Sequence, residues 1–204
     1  ELKHTEENIL KLIKKSATRE KGYSLLISKY SQMIYWQVRR MLFSHEDTDD
    51  VVQEVFIKIF ENIESFNNES KLSTWIYRIA YNQSINFLKS KASRQNKNNI
   101  SFEQESFENL KADTLFDGDE LELRLQKAML ELPAKQRAVF QMRYYDDLSF
   151  SEMASITKTS EGALKASYHI AAKKVEELML KEEKFRLKLM NYVLNVKTNL
   201  KKLV

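Results

Sequence analysis

An all-α fold is what this sequence predicts, and three observations carry the prediction. Three glycines and one proline in 204 residues are too few for the turns of an all-β chain. Apolar residues recur at helical rather than alternating spacing over most of the length. A hydrophobic content of 43% is enough to bury a core. Two polar stretches divide the helical pattern, so the architecture expected is two small helical domains joined by an acidic linker. The boundaries are 5–91 for the first domain, 92–119 for the linker, 120–180 for the second domain and 181–204 for a basic C-terminal extension.

From Thr5 to Asn67 the pattern is helical, with Leu25, Leu26 and Ile27, then Met33, Ile34, Trp36 and Val38, at near-helical spacing. The segment Ser44 to Asp50 (SHEDTDD) interrupts it and supplies capping residues, Asp47 or Thr48, for the next helix. That helix turns Val52, Val55, Phe56, Ile59 and Ile63 inward. Its other side carries Asp50, Glu54, Ile57 and Glu61, flanked by Gln53. An apolar side chain ringed by carboxylates suits a protein-binding surface with a hydrophobic anchor; a single stray exposed isoleucine is the plainer reading.

A second break, Phe66 to Ser70 (FNNES), precedes a helix from Ser73 to about Lys91. Ile76, Tyr77, Ala80, Ser84, Phe87 and Leu88 gather on its core side. Trp75, Arg78, Asn82, Asn86 and Lys89 gather opposite, with Ile79 and Gln83 at the edge. Lys71 to Ile100 contains no Asp or Glu, although the chain holds 29 of them. An aromatic plate, two cations and two amides without carboxylates fit single-stranded nucleic acid: bases stack on the ring, cations meet phosphates and amides reach base edges. Burial of Trp75 against the first helices is the alternative.

Residues 92–119 are poor in periodic apolar residues and rich in Asn, Ser, Glu and Asp, as a linker would be. Helical spacing returns at Leu121, and Pro133 stands where a new helix could begin. A bihelical unit from Leu148 to about Leu180 fits a helix-turn-helix. Ser149 and Glu152 form a capping box, Thr157 to Thr159 the turn, and Thr159 or Ser160 the second cap. Leu164, Tyr168, Ala171 and Val175 face inward on the second helix. Gly162, Lys165, Ala166, His169 and Lys173 face outward, with Ile170 and Lys174 nearer the edges. Small and basic groups suit a major groove. Lys158 occupies a turn position where glycine often relieves a positive φ; a plain helical hairpin is the alternative.

These motifs together resemble the extracytoplasmic-function (ECF) group of bacterial RNA polymerase sigma factors, of the sigma-70 family. DTDDVVQEVFIKIF is similar to their polymerase-binding helix in region 2. LSTWIYRIAYNQSINFLK is similar to the region 2 segment that melts and reads the −10 element. Leu132 to Val175 is similar to region 4, which reads the −35 element. The resemblance covers roughly Glu20 to Leu180 and implies residue roles. Asp50, Gln53, Glu54 and Ile57 would dock on core polymerase. Trp75, Arg78, Asn82, Asn86 and Lys89 would meet the −10 strand. Ser160, Lys165, Ala166, His169, Lys173 and Lys174 would meet the −35 duplex. Ser167 and Ala172 stand where many relatives carry Arg, so the resemblance implies a phosphate grip that is weaker or differently placed.

The expected function is therefore a promoter-specificity subunit that binds core polymerase, recognises both promoter elements and nucleates melting. A polymerase-independent helix-turn-helix regulator is the alternative. The partners implied are core RNA polymerase, promoter DNA and an anti-sigma factor, often membrane-anchored in this family. No enzyme activity, cofactor or metal site is expected: there is no Cys, His4, His45 and His169 are scattered, and Asp49 and Asp50 diverge. No apolar run reaches the ~18 residues of a membrane span, and no signal peptide is visible, so the cytoplasm is the expected compartment. The family's promoter elements lie about 16–17 base pairs apart, roughly 55 Å. The linker of about 28 residues could extend to ~90 Å but would relax to ~30 Å, so it bridges that gap only when stretched.

Overall fold

The computed structural model describes residues 5–95 and 120–201. All the regular elements among these are helical: α1 (Glu6–Lys14), α2 (Arg19–Leu42), α3 (His45–Asn62) and α4 (Leu72–Gln95), then α5 (Glu120–Leu130), α6 (Ala134–Tyr144), α7 (Phe150–Thr157) and α8 (Glu161–Lys201), with short 3-10 turns at Ser16–Thr18 and Ile63–Ser65. Most of the expected linker, 96–119, lies outside the described residues. Residues 92–95, read from sequence as linker, instead extend α4. The extension from 181 to 201 continues α8 as one rod.

The N-terminal half is built around α2. Gly22, Leu26, Tyr30, Ile34, Val38, Met41 and Leu42 are buried along it, at the three- and four-residue spacing that lines one helix face. Helix α1 crosses it closely at Gly22, where an added Cβ would lie 2.7 Å from Ile13 Cγ1. Helix α2 ends at Phe43, which is left-handed (φ 57) and buried. A phenylalanine there is uncommon; packing of its ring into the core holds it. Two residues expected among the apolar set of this helix face solvent instead: Trp36 is 45% and Ile27 40% exposed.

Helix α3 starts one turn earlier than expected. Ser44 caps it, accepting from the Asp47 amide at 3.3 Å. Asp47 is drawn instead to Lys91 Nζ at 2.7 Å, tying α3 to α4. Thr48 is fully buried and donates its hydroxyl proton to the Ser44 carbonyl. The inward residues are Val51, Val55, Ile59 and Ile63, while Val52 and Phe56 are only half-buried.

In the C-terminal half α6 and α5 pack on α8, and Leu125, Met129, Leu132, Phe140, Ala171 and Val175 form a small core there. Pro133 stands at the N-cap of α6. The larger core joins both halves: Val139 and Met142 of α6, Met153 and Ile156 of α7 and Leu164 of α8 belong to the same buried cluster as α2, α3 and α4. Packing of α7 and α6 on α4, and of α6 on α2, forms this seam.

Candidate nucleic-acid interface

Helix α4 is positioned from three directions. At its start the Leu72 and Ser73 amides, which have no partner within the helix, donate to the Glu6 carboxylate at 2.9 and 3.1 Å. Burial alone would raise the Glu6 pKa. The hydrogen bonds from the Tyr30 hydroxyl and these two amides outweigh it and hold the carboxyl below its ordinary range. In the middle, the Tyr77 carbonyl accepts from Gln37 Nε2 at 3.0 Å. At its end Lys91 meets Asp47.

Held this way, α4 buries Leu72, Ile76, Tyr77, Ala80, Ser84, Ile85 and Leu88. Asn82, Asn86 and Lys89 are exposed, while Trp75 and Arg78 are half-exposed. The Trp75 ring is neither sealed in nor free. It packs on Phe66 with centroids 5.4 Å apart and a 52° tilt, and stays half-exposed.

Beside it, α3 presents Asp50, Gln53, Glu54 and Glu61, all exposed, around Ile57, which is 39% exposed. Lys58 is held by Glu61 at 2.7 Å on the same helix, so the stripe presents acid around one aliphatic side chain.

The helix-turn-helix forms as its local sequence dictates. Ser149 and Glu152 make the reciprocal capping box, and the hydrogen bonds from the Ser149 hydroxyl and amide hold the Glu152 carboxyl below its ordinary range. Lys158 takes the left-handed conformation (φ 56) at the end of α7. Ser160 accepts from the Ala163 amide at 3.3 Å, which identifies the cap of α8. Leu164, Ala171 and Val175 are buried and Tyr168 half-buried. Ser160, Lys165, Ala166, His169 and Lys173 are exposed. Lys165 lies 3.8 Å from Glu161 and over the Phe150 ring. Lys174 turns away from the others: its ammonium donates to the Glu131 carbonyl at the end of α5.

Between the two surfaces runs the seam. Asp146, in the turn before α7, accepts from the Tyr77 hydroxyl at 2.6 Å and from Arg40 Nη2 at 2.9 Å. Gln141 donates to the Arg40 carbonyl. The Arg40 guanidinium lies 4.7 Å from the Tyr145 ring centroid. Burial and then the Asp146 charge push the Tyr77 hydroxyl far above its ordinary pKa, so it stays a donor. Where the seam reaches the surface, Phe66, Asn67, Glu69, Ser70, Thr74, Trp75 and Arg78 face Ser155 and Lys158 across a cleft of about 360 Å³. The sequence reading passed over Glu6, Asp146, Ser155 and Lys158 as participants near the site. Glu6 looks like an ordinary first-turn acid and Asp146 like a turn residue, and neither carries a periodic signal toward a partner 66 or 69 residues away.

Comparison with known proteins bears on both halves of the chain. Residues 26–94 match the family described as Sigma-70 region 2, and residues 122–175 match Sigma-70, region 4. The chain is 30% identical over 161 residues to the ECF RNA polymerase sigma factor SigW of Bacillus subtilis, covering 72% of this chain and 83% of that protein. The chain belongs to the ECF sigma factors of the sigma-70 family. An ECF RNA polymerase sigma-E factor of Haemophilus influenzae is 32% identical over 167 residues, covering 77% of this sigma factor and 87% of the relative. In fold it is similar to the sigma factor RpoE in complex with the anti-sigma factor NepR from Bartonella quintana, with a TM-score of 0.60 and 18% identity over 78% of this chain and 97% of that one. It is also similar to CnrH in complex with the cytosolic domain of CnrY, with a TM-score of 0.57 and 17% identity over 78% and 88%. Both family matches fall on the two halves that meet at the seam. The capping interaction from Glu6 and most of the α8 rod lie beyond them.

Proposed function

We propose that this sigma factor works as a promoter-specificity subunit through three surfaces: the α3 stripe on core polymerase, the exposed α4 face on the −10 strand and the outer face of α8 on the −35 duplex. The carrying observation is the exposed face of α4. Trp75 is held by Phe66 beside Arg78, Asn82, Asn86 and Lys89, with no carboxylate in the helix. Duplex opening costs about 1.4 kcal/mol per base step, and a base stacked on an aromatic recovers roughly 1–3 kcal/mol. One or two captured bases therefore offset the first steps of opening. The chain itself supplies recognition, not covalent chemistry. Among the described residues there is no cluster of three or more His, Asp or Glu placed to hold a metal.

The closed seam has to part for both elements to be read together. Lys158 faces the Trp75 cleft, and helical rise carries Lys173 only about 18 Å beyond Glu161 at the start of α8. The roughly 55 Å between the family's promoter elements exceeds that by about threefold. The closed form suits a partner that holds both halves at once, and an anti-sigma factor is the partner we assign it, by likeness to the two solved relatives. The cytoplasm is the compartment this role requires. No helix among the described residues is long and apolar enough to cross a membrane.

Co-purification and run-off transcription with core polymerase test the reading. Glu54→Arg with Ile57→Asp should abolish co-purification while leaving the helix-turn-helix intact, because both residues lie on the outer face of α3, outside the buried core. Unchanged affinity for core enzyme would refute the α3 docking surface. A polymerase-independent regulator would bind its DNA equally well with and without core enzyme.

A further inference from the structure

Of the large apolar side chains in the first four turns of α8, all but one have a place in or against the core. Leu164, Ala171 and Val175 are buried and Tyr168 is half-buried against Phe140 and Phe150. Ile170 is 54% exposed. At about 100° per residue it stands about 40° from Ala166, one turn earlier, and about 60° from Lys173. Ala166 and Ile170 thus form a short apolar strip along the edge of the basic outer face. The cation that could cover this edge, Lys174, is drawn back to the Glu131 carbonyl.

We propose that Ile170, with Ala166, reads thymine methyl groups in the −35 element. The inference rests on α8 being the recognition helix. Neither side chain can donate or accept a hydrogen bond, so neither can distinguish bases by the donor and acceptor pattern of the groove. The C5 methyl of thymine is the apolar group that the major groove offers. An isoleucine laid on it withdraws both surfaces from water, and cytosine, lacking the methyl, leaves the strip against a polar edge. Lys165, His169 and Lys173 supply the phosphate and polar contacts that set the helix in the groove. The apolar strip then chooses between pyrimidines at one or two adjacent positions.

The experiment uses the full chain with core polymerase on a promoter fragment mapped by run-off transcription. Each thymine of the −35 element is replaced in turn by deoxyuridine, which removes only the C5 methyl. Deoxyuridine at one or two adjacent positions should weaken holoenzyme binding about fourfold, the worth of one buried methyl group. Ile170→Ala should weaken binding to the unmodified promoter by a similar factor and remove the response to deoxyuridine at those positions. The variant exchanges an exposed residue for a better helix former, so it folds. Lys173→Ala should weaken both DNAs equally. A wild-type holoenzyme indifferent to deoxyuridine at every position, an Ile170→Ala variant that responds as wild type does, or a −35 element without thymine on either strand overturns the proposal while leaving the promoter-subunit reading standing. Failure to initiate from any genomic fragment overturns that reading instead, and this inference with it.

Discussion

Helices α4 and α8 both carry carboxylate-poor outer faces, which we propose meet nucleic acid, but they are held in opposite ways. Helix α4 is gripped at its start by Glu6, at its middle by Gln37 and Asp146, and at its end by Asp47. Even its outward Trp75 leans on Phe66. Helix α8 is held along its inner side, and its outer side chains stand in solvent, with Lys165 only loosely engaged. The difference matches the two tasks we propose for them. Capturing a base from a duplex needs a platform already in place, because any ordering of the platform subtracts from the stacking gain. Reading an intact groove asks for projecting side chains that adjust to it.

The comparison breaks most readily at the seam. Asp146→Ala leaves the Tyr77 hydroxyl and the Arg40 guanidinium without their shared acceptor, and should cost about 2–3 kcal/mol in urea unfolding. A double-mutant cycle with Tyr77→Phe should give a coupling of at least ~0.5 kcal/mol. Strict additivity would mean that the seam is held by its apolar contacts alone.

Next in size is Trp75→Ala, which should lower open-complex formation about thirtyfold, the middle of the range for one stacked base, while polymerase binding stays as it was. Permanganate reactivity of −10 thymines reads this directly. Trp75→Phe should recover most of it, since a phenyl ring can still lean on Phe66. Equal opening by the alanine variant would remove the platform role.

Glu6→Gln should cost about 1 kcal/mol at neutral pH, the scale of a lost helix cap. The Glu6 pKa is lowered in the folded protein, so its contribution is complete above the ordinary carboxylate range. It is lost as the pH falls through the folded value. The stability gap between wild type and variant should therefore narrow as the pH is lowered from 7 toward 3. Glu152, lowered by Ser149, shifts the wild-type curve in the same direction and remains in both proteins. A gap that stays constant with pH would mean that Glu6 acts only as a neutral hydrogen-bond acceptor.

The smallest change expected is from Lys158→Gly. Relief of a left-handed lysine, offset by the backbone freedom of glycine, should raise stability by about 0.5 kcal/mol in thermal melts. The same variant removes a cation from the cleft opposite Trp75. Holoenzyme affinity for −10 single strands should be unchanged if the seam is open in the complex, so this variant sharpens the contrast between closed and open forms.

Much of each helix was legible because its signals are local. The capping box at Ser149, the left-handed Lys158 and the inner and outer faces of α8 depend on residues three or four apart. So do the exposed Asn82, Asn86 and Lys89 of α4 and the exposed acids around Ile57 on α3. The expected cap at Asp47 or Thr48 was wrong because several capping residues stand in a row there. The choice among them was made by Lys91 on another helix and by the burial of Thr48. Lys174 likewise left the outer face for a carbonyl on α5. Trp36, apolar by type, stayed outside because neighbouring positions of α2 already fill the core.

The sequence by itself determined that the chain is helical, where most helices run, and which faces of α3, α4 and α8 are turned outward. Side chains one turn apart meet whatever the rest of the fold does. Only the tertiary structure decided that the two halves share a core, that Asp146 joins Arg40 and Tyr77 across separations of 106 and 69 residues, and that Glu6 caps α4. Polar partners that far apart leave no period in the chain. Their pairing is settled by which groups the packing of helices strips of water together, since a buried donor or acceptor must find whatever partner lies within reach.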